Sequence, residues 1–490
     1  MSRGDLLLNT KHEFTALTKI SLRGGIVNIG AQIILFIVQI STLGFMARLI
    51  SPADFGVVAM AASITGFILI FKDLGLSMAT VQKEEINEQQ ISNLFWINVI
   101  IGVVLSLIVI FISPFVASFF DEKAVQNILL ISSLGLFIGA LTIQHQALLR
   151  RQMRFLPLAI IDVISKVLGS IISVIIAFQL KNYWALVLLP IICSILYLIG
   201  IYIVLPWKPK LYKKNSDIKD LVNFGKNMTI YGVINYFSRS GDNVIIGKFV
   251  GASGLGFYSR AYSLMMLPIG QLIAPLTGVM VPTLSRLQNE PEKFKEYYIQ
   301  TLQLVAFLTL PLIATLGIMG NEVVLVVLGD DWIPAIKLYQ ILCLAAFWQP
   351  LLSTTGWILT SLNQTGRIVK WGWINSILLI ITFLIGINWG VIGITISYAI
   401  YMWLIVIPNF MFVVKYTPIN IGDFLDAVKK PIFYTGLLII ALLGLLNAGI
   451  ENLYLRVAGS IIIFIIFWTV LYFYDKKMRD QLKVLINKMF

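Results

Sequence analysis

Eight charged side chains interrupt long apolar stretches of the chain: Lys72, Asp73, Asp162, Lys166, Lys226, Arg239, Asp242 and Arg260. A charge in such surroundings costs from about 2.5 kcal/mol upward at the centre of a bilayer, so it is kept where it faces a cavity or a partner. Two kinds of chemistry are open to this set. With Arg48 and Lys248 at the outer rim, the cations Lys72, Lys166, Arg239 and Arg260 would form a ladder of positive charge across the membrane. Such a ladder suits a polyanionic headgroup such as a diphosphate, because Arg offers paired donors and a wet cavity lowers the cost of holding cations. Asp73, Asp162 and Asp242 could instead take up a proton or a sodium ion that drives transport. The competing reading is local neutralisation: Asp162 with Lys166 at i,i+4, Arg239 with Asp242 at i,i+3, and snorkelling at Lys72 and Lys226. A midplane Arg239 is hard to rescue by snorkelling, which favours a functional role. His145, between Gln144 and Gln146, reads as a satisfied interfacial histidine ahead of a proton-responsive one.

Enzyme chemistry finds little support. The chain has no phosphate-binding glycine loop followed by GK[ST], no HExxH and no nucleophile elbow, which excludes a recognisable ATPase or hydrolase site. Cys193 and Cys343 sit inside apolar runs and read as small packing residues, without disulfide or metal-ligand spacing. No metal and no cofactor are expected beyond a coupling H+ or Na+.

The elements that must position these residues are membrane helices. Of 490 residues 58% are hydrophobic and 12% charged, with a mean hydropathy of +0.88, which makes lipid the solvent. A bilayer core of about 30 Å needs about 20 helical residues. Fourteen apolar stretches meet that length, near 22–47, 55–80, 92–119, 125–149, 156–178, 183–205, 221–249, 257–283, 299–328, 334–361, 368–388, 390–414, 432–449 and 453–474. With the N-terminus placed inside, the cytoplasmic segments collect twenty-six Lys and Arg, against Arg48, Lys123, Lys181 and Lys248 outside. This bias puts both termini in the cytoplasm and explains the positive net charge as topology, excluding a nucleic-acid surface. The first twenty residues lack the core of a secretory signal and read as an interfacial segment. Loops of about fifteen residues at most leave no room for a soluble catalytic domain.

A weak internal repeat lies at an offset of 200: RLISPADFGVVAMA from Arg48 matches KFVGASGLGFYSRA from Lys248, setting Gly56 on Gly256 and Ala61 on Ala261. That offset spans six helices, an even number, so the copies run parallel. The expected fold is an all-α membrane protein of about fourteen helices: a lobe at 1–215, a second at 216–415, and two further helices with a cytoplasmic tail at 416–490. Pro268, Pro275, Pro311 and Pro350 would kink helices around a cavity. The tryptophans, among them Trp207 and Trp332, mostly mark helix ends as an interfacial belt.

Three runs, ARLISPADFG at 47–56, KDLGLSMATVQKEE at 72–85 and DNVIIGKFVGASGLGFYSRAYSL at 242–264, resemble the polysaccharide exporters of the MOP superfamily, the Wzx-type flippases of the colanic-acid and teichuronic-acid branch. The resemblance implies a MATE-like fold in the bacterial inner membrane whose two lobes alternate access to a cavity lined largely by helices 1, 2, 7 and 8. It implies as substrate an undecaprenyl-diphosphate-linked oligosaccharide bound for a surface polysaccharide such as lipopolysaccharide, with membrane lipids and polysaccharide polymerase machinery as partners. Lys72, Asp73, Arg239, Asp242 and Arg260 fall on those helices, while Asp162 and Lys166 are less well placed. A proton- or sodium-coupled exporter of small cations is the alternative; it calls for an acidic cavity, and the margin of Lys72, Arg239 and Arg260 over Asp73 and Asp242 is small. An intramembrane polymerase or ligase would need an extended external loop, which the chain lacks.

Overall fold

The computed structural model describes residues 14–83, 86–213, 236, 240–475 and 478–479. They form helices with no strand among the described residues: α1 (Phe14–Leu49), α2 (Pro52–Leu69), α3 (Leu76–Gln82), α4 (Glu88–Phe120), α5 (Lys123–Arg151), α6 (Phe155–Leu180), α7 (Trp184–Val204), α8 (240–249) and α9 (Ala252–Arg286). There follow α10 (Pro291–Ile318), α11 (Gly320–Val327), α12 (Ala335–Ala346), α13 (Gln349–Ser361), α14 (Thr365–Gly386), α15 (Gly390–Val414), α16 (Ile421–Leu446) and α17 (Leu453–Tyr474). Twelve stretches are long and apolar enough to cross a membrane, and one of them, Gly366–Val414, holds both α14 and α15. The described residues of this multi-pass membrane protein therefore hold twelve such stretches, or thirteen with α14 and α15 counted separately. The remaining expected span, 221–249, lies outside the described residues except for Tyr236 and 240–249.

Helix starts follow local chemistry. Ser51 accepts the amide of Asp54 with Pro52 in the first turn of α2, Asn87 and Gln90 form a capping box on α4, and Asn452 caps α17. Left-handed Asp121 and Lys181 end α4 and α6, and each turn then leads within a few residues to an antiparallel neighbour.

Three expected spans are interrupted. The span at 55–80 stops as a helix at Leu69 and resumes at Leu76, because Leu74 and Gly75 both adopt positive φ, 48° and 71°. The span at 299–328 breaks at Met319, between α10 and α11, and that at 334–361 breaks at Phe347–Trp348, where Pro350 enters the first turn of α13. Apolar length alone shows none of these breaks.

The chain divides into two units, one running through Gly256 and the other from Phe257 to Lys488. In the first, helices approach through small residues, as expected where lipid removes most of the hydrophobic drive for helix association. A Cβ on Gly102 would meet Ala140 Cβ at 2.5 Å, and one on Gly169 would meet Cys193 Sγ at 2.4 Å, which gives that cysteine its packing role. In the second unit Cys343 lies likewise against Gly317. The core of that unit gathers Phe294, Tyr298, Leu302, Leu310, Phe410 and Phe424 from α10, α15 and α16. At its edge, buried Glu322 of α11 pairs with Arg456 of α17 at 3.2 Å.

The two glycines matched by the repeat face each other's helix. A Cβ on Gly56 would lie 1.7 Å from Ala252 O, and one on Gly256 would lie 1.8 Å from Pro52 O. Residues 52 and 56 thus mirror 252 and 256 across a crossing that lies within the first unit. The obstacle is backbone carbonyl on both sides, which cannot swing away. Gly56→Ala and Gly256→Ala should each lower the detergent melting temperature, with a loss of about 2 kcal/mol or more. Gly270→Ala, with nothing within 4 Å of the new methyl, should leave it unchanged.

Candidate functional site

The break between α2 and α3 carries Lys72 and Asp73, which the sequence placed within a continuous helix. Residues 70–72 wind down through amide bonds to the carbonyls three residues back: Ile70 to Phe67, Phe71 to Ile68 and Lys72 to Leu69. Asp73 is then spent locally, accepting the Ser77 amide at 3.0 Å and the Ser77 hydroxyl, and so caps the start of α3. The far end of α3 is closed by Arg151 from α5, whose guanidinium donates to the carbonyls of Thr80 at 3.0 Å and Lys83 at 2.5 Å. Thr80 donates to Gln144 Oε1 at 2.8 Å, and Gln144 donates to Asn98 Oδ1 at 2.9 Å, all three being buried. Every one of these bonds offsets the backbone and side-chain polarity that a broken helix brings into apolar surroundings.

Among the described residues the Lys72 ammonium makes no hydrogen bond and no ion pair. Its neighbour in charge is Asp73, already committed to Ser77. Lys72 is half-buried, and its end lies against Gly139 of α5.

Asp162 and Lys166 pair at 3.0 Å along α6, as the i,i+4 spacing allows, with side chains 36% and 50% exposed. The helix places them with meaning. Leu156, Ile160, Ile164, Leu168, Ile171, Ile175 and Phe178 form the exposed apolar stripe of α6. Asp162 and Lys166 each stand two residues from Ile164, about 200° around the helix, and so lie on the face away from that stripe. On α1, Gln32 and Gln39 are exposed and lie opposite the face of Ile33, Ile34, Ile37 and Phe45. The first unit thus exposes polar groups of α1 and α6 on the faces opposite their exposed apolar stripes. Gln39 stands ten residues from the end of α1, about 15 Å deep at 1.5 Å per residue, near mid-bilayer. Sequence reasoning weighed charges and passed over these glutamines. Their signal was a seven-residue spacing of amides in an apolar span.

The other candidates are spread out. Lys248 pairs with Asp121 at 2.7 Å, joining the end of α8 to the turn between α4 and α5. Arg48 donates to the Gly44 carbonyl at 3.2 Å. Asp242 is buried and accepts the Asn243 amide at 2.7 Å. Arg239 and Lys226 lie outside the described residues. His145 is fully buried: it is stacked on Tyr202 with its Nε2 3.2 Å from the Trp207 carbonyl, and Trp207 and Trp332 are themselves buried. The segment after α7 is held flat on α4, with Lys210 and Lys213 bonded through their backbones to Ser92, Asn93 and Trp96.

The second unit, taken by itself, holds half-buried Arg260 near the start of α9 and a cavity of about 690 Å³ between the end of α9 and the start of α10. Thr283, Arg286, Lys293, Glu296, Tyr297 and Gln300 give that cavity its polar lining. An apolar groove of about 760 Å³ runs between α16 and α17, lined by residues such as Phe433, Leu437, Ile463, Ile466 and Val470.

Residues 45–337 match the model of a family described as polysaccharide biosynthesis protein. The chain belongs to that family. The matched segment runs from the last turn of α1 into α12 and contains every charged candidate above. The chain is 23% identical over 443 residues to the teichuronic acid biosynthesis protein TuaB of Bacillus subtilis, covering 85% of this chain and 86% of that one. It is 21% identical over 392 residues to the lipopolysaccharide biosynthesis protein WzxC of Escherichia coli, covering 79% of each. Among solved structures it resembles the lipid II flippase MurJ in an inward closed conformation, with a TM-score of 0.70 at 15% identity over 92% of this chain and 98% of that one. The chain therefore shares the all-helical fold of that structure, an all-α membrane fold as the sequence led us to expect.

The polar ties around the break make a testable set. Arg151→Gln strips the cap from α3 and should cost about 2 kcal/mol, with faster proteolytic cutting near residues 82–88. Unchanged melting and cutting would show that α3 holds without its cap.

Proposed function

We propose that this protein is a flippase that carries an undecaprenyl-diphosphate-linked oligosaccharide across the bacterial inner membrane by alternating access, for export of a surface polysaccharide. The observation that carries the reading is the Lys72 ammonium, held in a broken span of a polysaccharide-biosynthesis-family protein with no anionic partner among the described residues. Three requirements of such a substrate have counterparts. A diphosphate needs a cation in a polar, partly wet setting, and Lys72 supplies one; Arg260 of the second unit is the next candidate. Sugars need amides and hydroxyls that water also reaches, as Gln32 and Gln39 provide. A polyprenyl tail needs an apolar groove open to lipid, and the space between α16 and α17 has that character.

In this reading the termini are cytoplasmic, the lobes correspond to residues 1–215 and 216–415 with two helices added, and the protein makes and breaks no covalent bond. It hands its cargo to polysaccharide polymerase machinery on the outer side. Asp73, Asp162 and Asp242 are the carboxylates that could couple a proton or sodium gradient.

Purified protein in liposomes carrying a fluorescent undecaprenyl-diphosphate oligosaccharide tests the proposal. Wild type should speed movement between leaflets, and Lys72→Gln and Arg260→Gln should each slow it by about tenfold, the worth of one charge-assisted contact. Efflux of small cations against a proton gradient, without movement of any glycan lipid, would transfer the protein to the antiporter reading.

A further inference from the structure

Gly139 of α5 lies where the Lys72 side chain ends. A Cβ built at Gly139 would stand 2.0 Å from Lys72 Nζ, 2.7 Å from Cε and 3.9 Å from Cδ. The notch therefore receives the ammonium and the carbon next to it, while the stem of the side chain lies clear. We infer that Gly139 is a positioning residue, a seat that fixes the Lys72 ammonium where it meets the phosphates of the lipid-linked substrate; the inference rests on the flippase reading for the identity of that anion.

Three features make the seat specific to this lysine. The backbone under Lys72 is set by the left-handed pair Leu74 and Gly75, and Asp73 is turned onto Ser77, so Lys72 is the side chain of the break left uncommitted. Helix α5 cannot retreat from an added methyl at this level, because the next residue, Ala140, is packed against Gly102 of α4. Thr142, one turn on, donates its hydroxyl to the Gly139 carbonyl and makes no hydrogen bond with the ammonium. An ammonium carries three donors and gains most from a charged oxygen acceptor, which a bound phosphate supplies. A methyl at 139 keeps the charge but moves it off the notch, so its effect passes through Lys72.

A double-mutant cycle on the full-length protein in lipid nanodiscs tests this, with binding of a fluorescent undecaprenyl diphosphate as the readout and melting temperature as a control. Gly139→Ala in the wild-type background should weaken binding about tenfold with little change in melting, and Lys72→Gln should do the same. Adding Gly139→Ala to Lys72→Gln should then change nothing further. Gly436→Ala, at a helical glycine with open space around it, should match wild type. Equal losses from Gly139→Ala in both backgrounds would make it a packing residue and overturn the inference, as would wild type that fails to bind the diphosphate. Leaflet movement measured on the same proteins keeps the two ideas apart. Coupled binding effects in a wild type that moves no lipid would uphold the seat and reject the flippase.

Discussion

Inside a bilayer no water is available to a free amide or carbonyl, and each one left open costs several kcal/mol. That constraint makes the chain helical over nearly its whole described length, and it also makes every departure from helix informative. A break such as 70–75 persists only where side chains take over the work of the missing ladder. Asp73 and Ser77 do so at one end of α3, Arg151 at the other, with Thr80, Gln144 and Asn98 closing the polar interior between them. Lys72 is held in position by this scaffold. Its ammonium makes no hydrogen bond and no ion pair with the described residues.

The same constraint governs how the helices meet. Because lipid solvates an apolar side chain as well as a neighbouring helix does, contact must come from shape, and the closest approaches are glycine on alanine, glycine on cysteine and glycine on backbone carbonyl. The reciprocal contact of Gly56 with Ala252 and Gly256 with Pro52 gives the sequence repeat a physical meaning. Residues 52 and 56 meet 252 and 256 across this crossing, and only residues without a Cβ at 56 and 256 permit that approach.

Much of this was legible before any coordinates. Apolar length located the spans found among the described residues, and the spacing of Asp162 to Lys166 foretold their pair. What escaped is what hydropathy averages away. A window of about nineteen residues sees 55–80 as one span, because Asp73 and Lys72 are too few to lower it, while the turn itself is encoded in the φ values of Leu74 and Gly75. Leu74 gives no sign of a left-handed conformation. Gln144, Asn98 and Arg151 were equally silent: they act across 46 to 71 positions of sequence, as partners that only packing brings together.

Exposure, too, changes meaning with the solvent on the far side. Ile164 and Lys166 are both exposed on α6, yet one stands in the apolar stripe and the other on the opposite face. A charged pair on the lipid side would cost several kcal/mol and gain nothing from its exposure, whereas on the averted side the same pair is solvated and can exchange its partner. A site for a bulky, polar and mobile headgroup needs groups of that second kind: wet enough to release the substrate, and fixed enough to recognise it. Lys166 is screened by Asp162 and Lys248 by Asp121. Lys72 differs from both in that its neighbour Asp73 is bonded to Ser77 and forms no ion pair with it, so the three donors of the ammonium stay open.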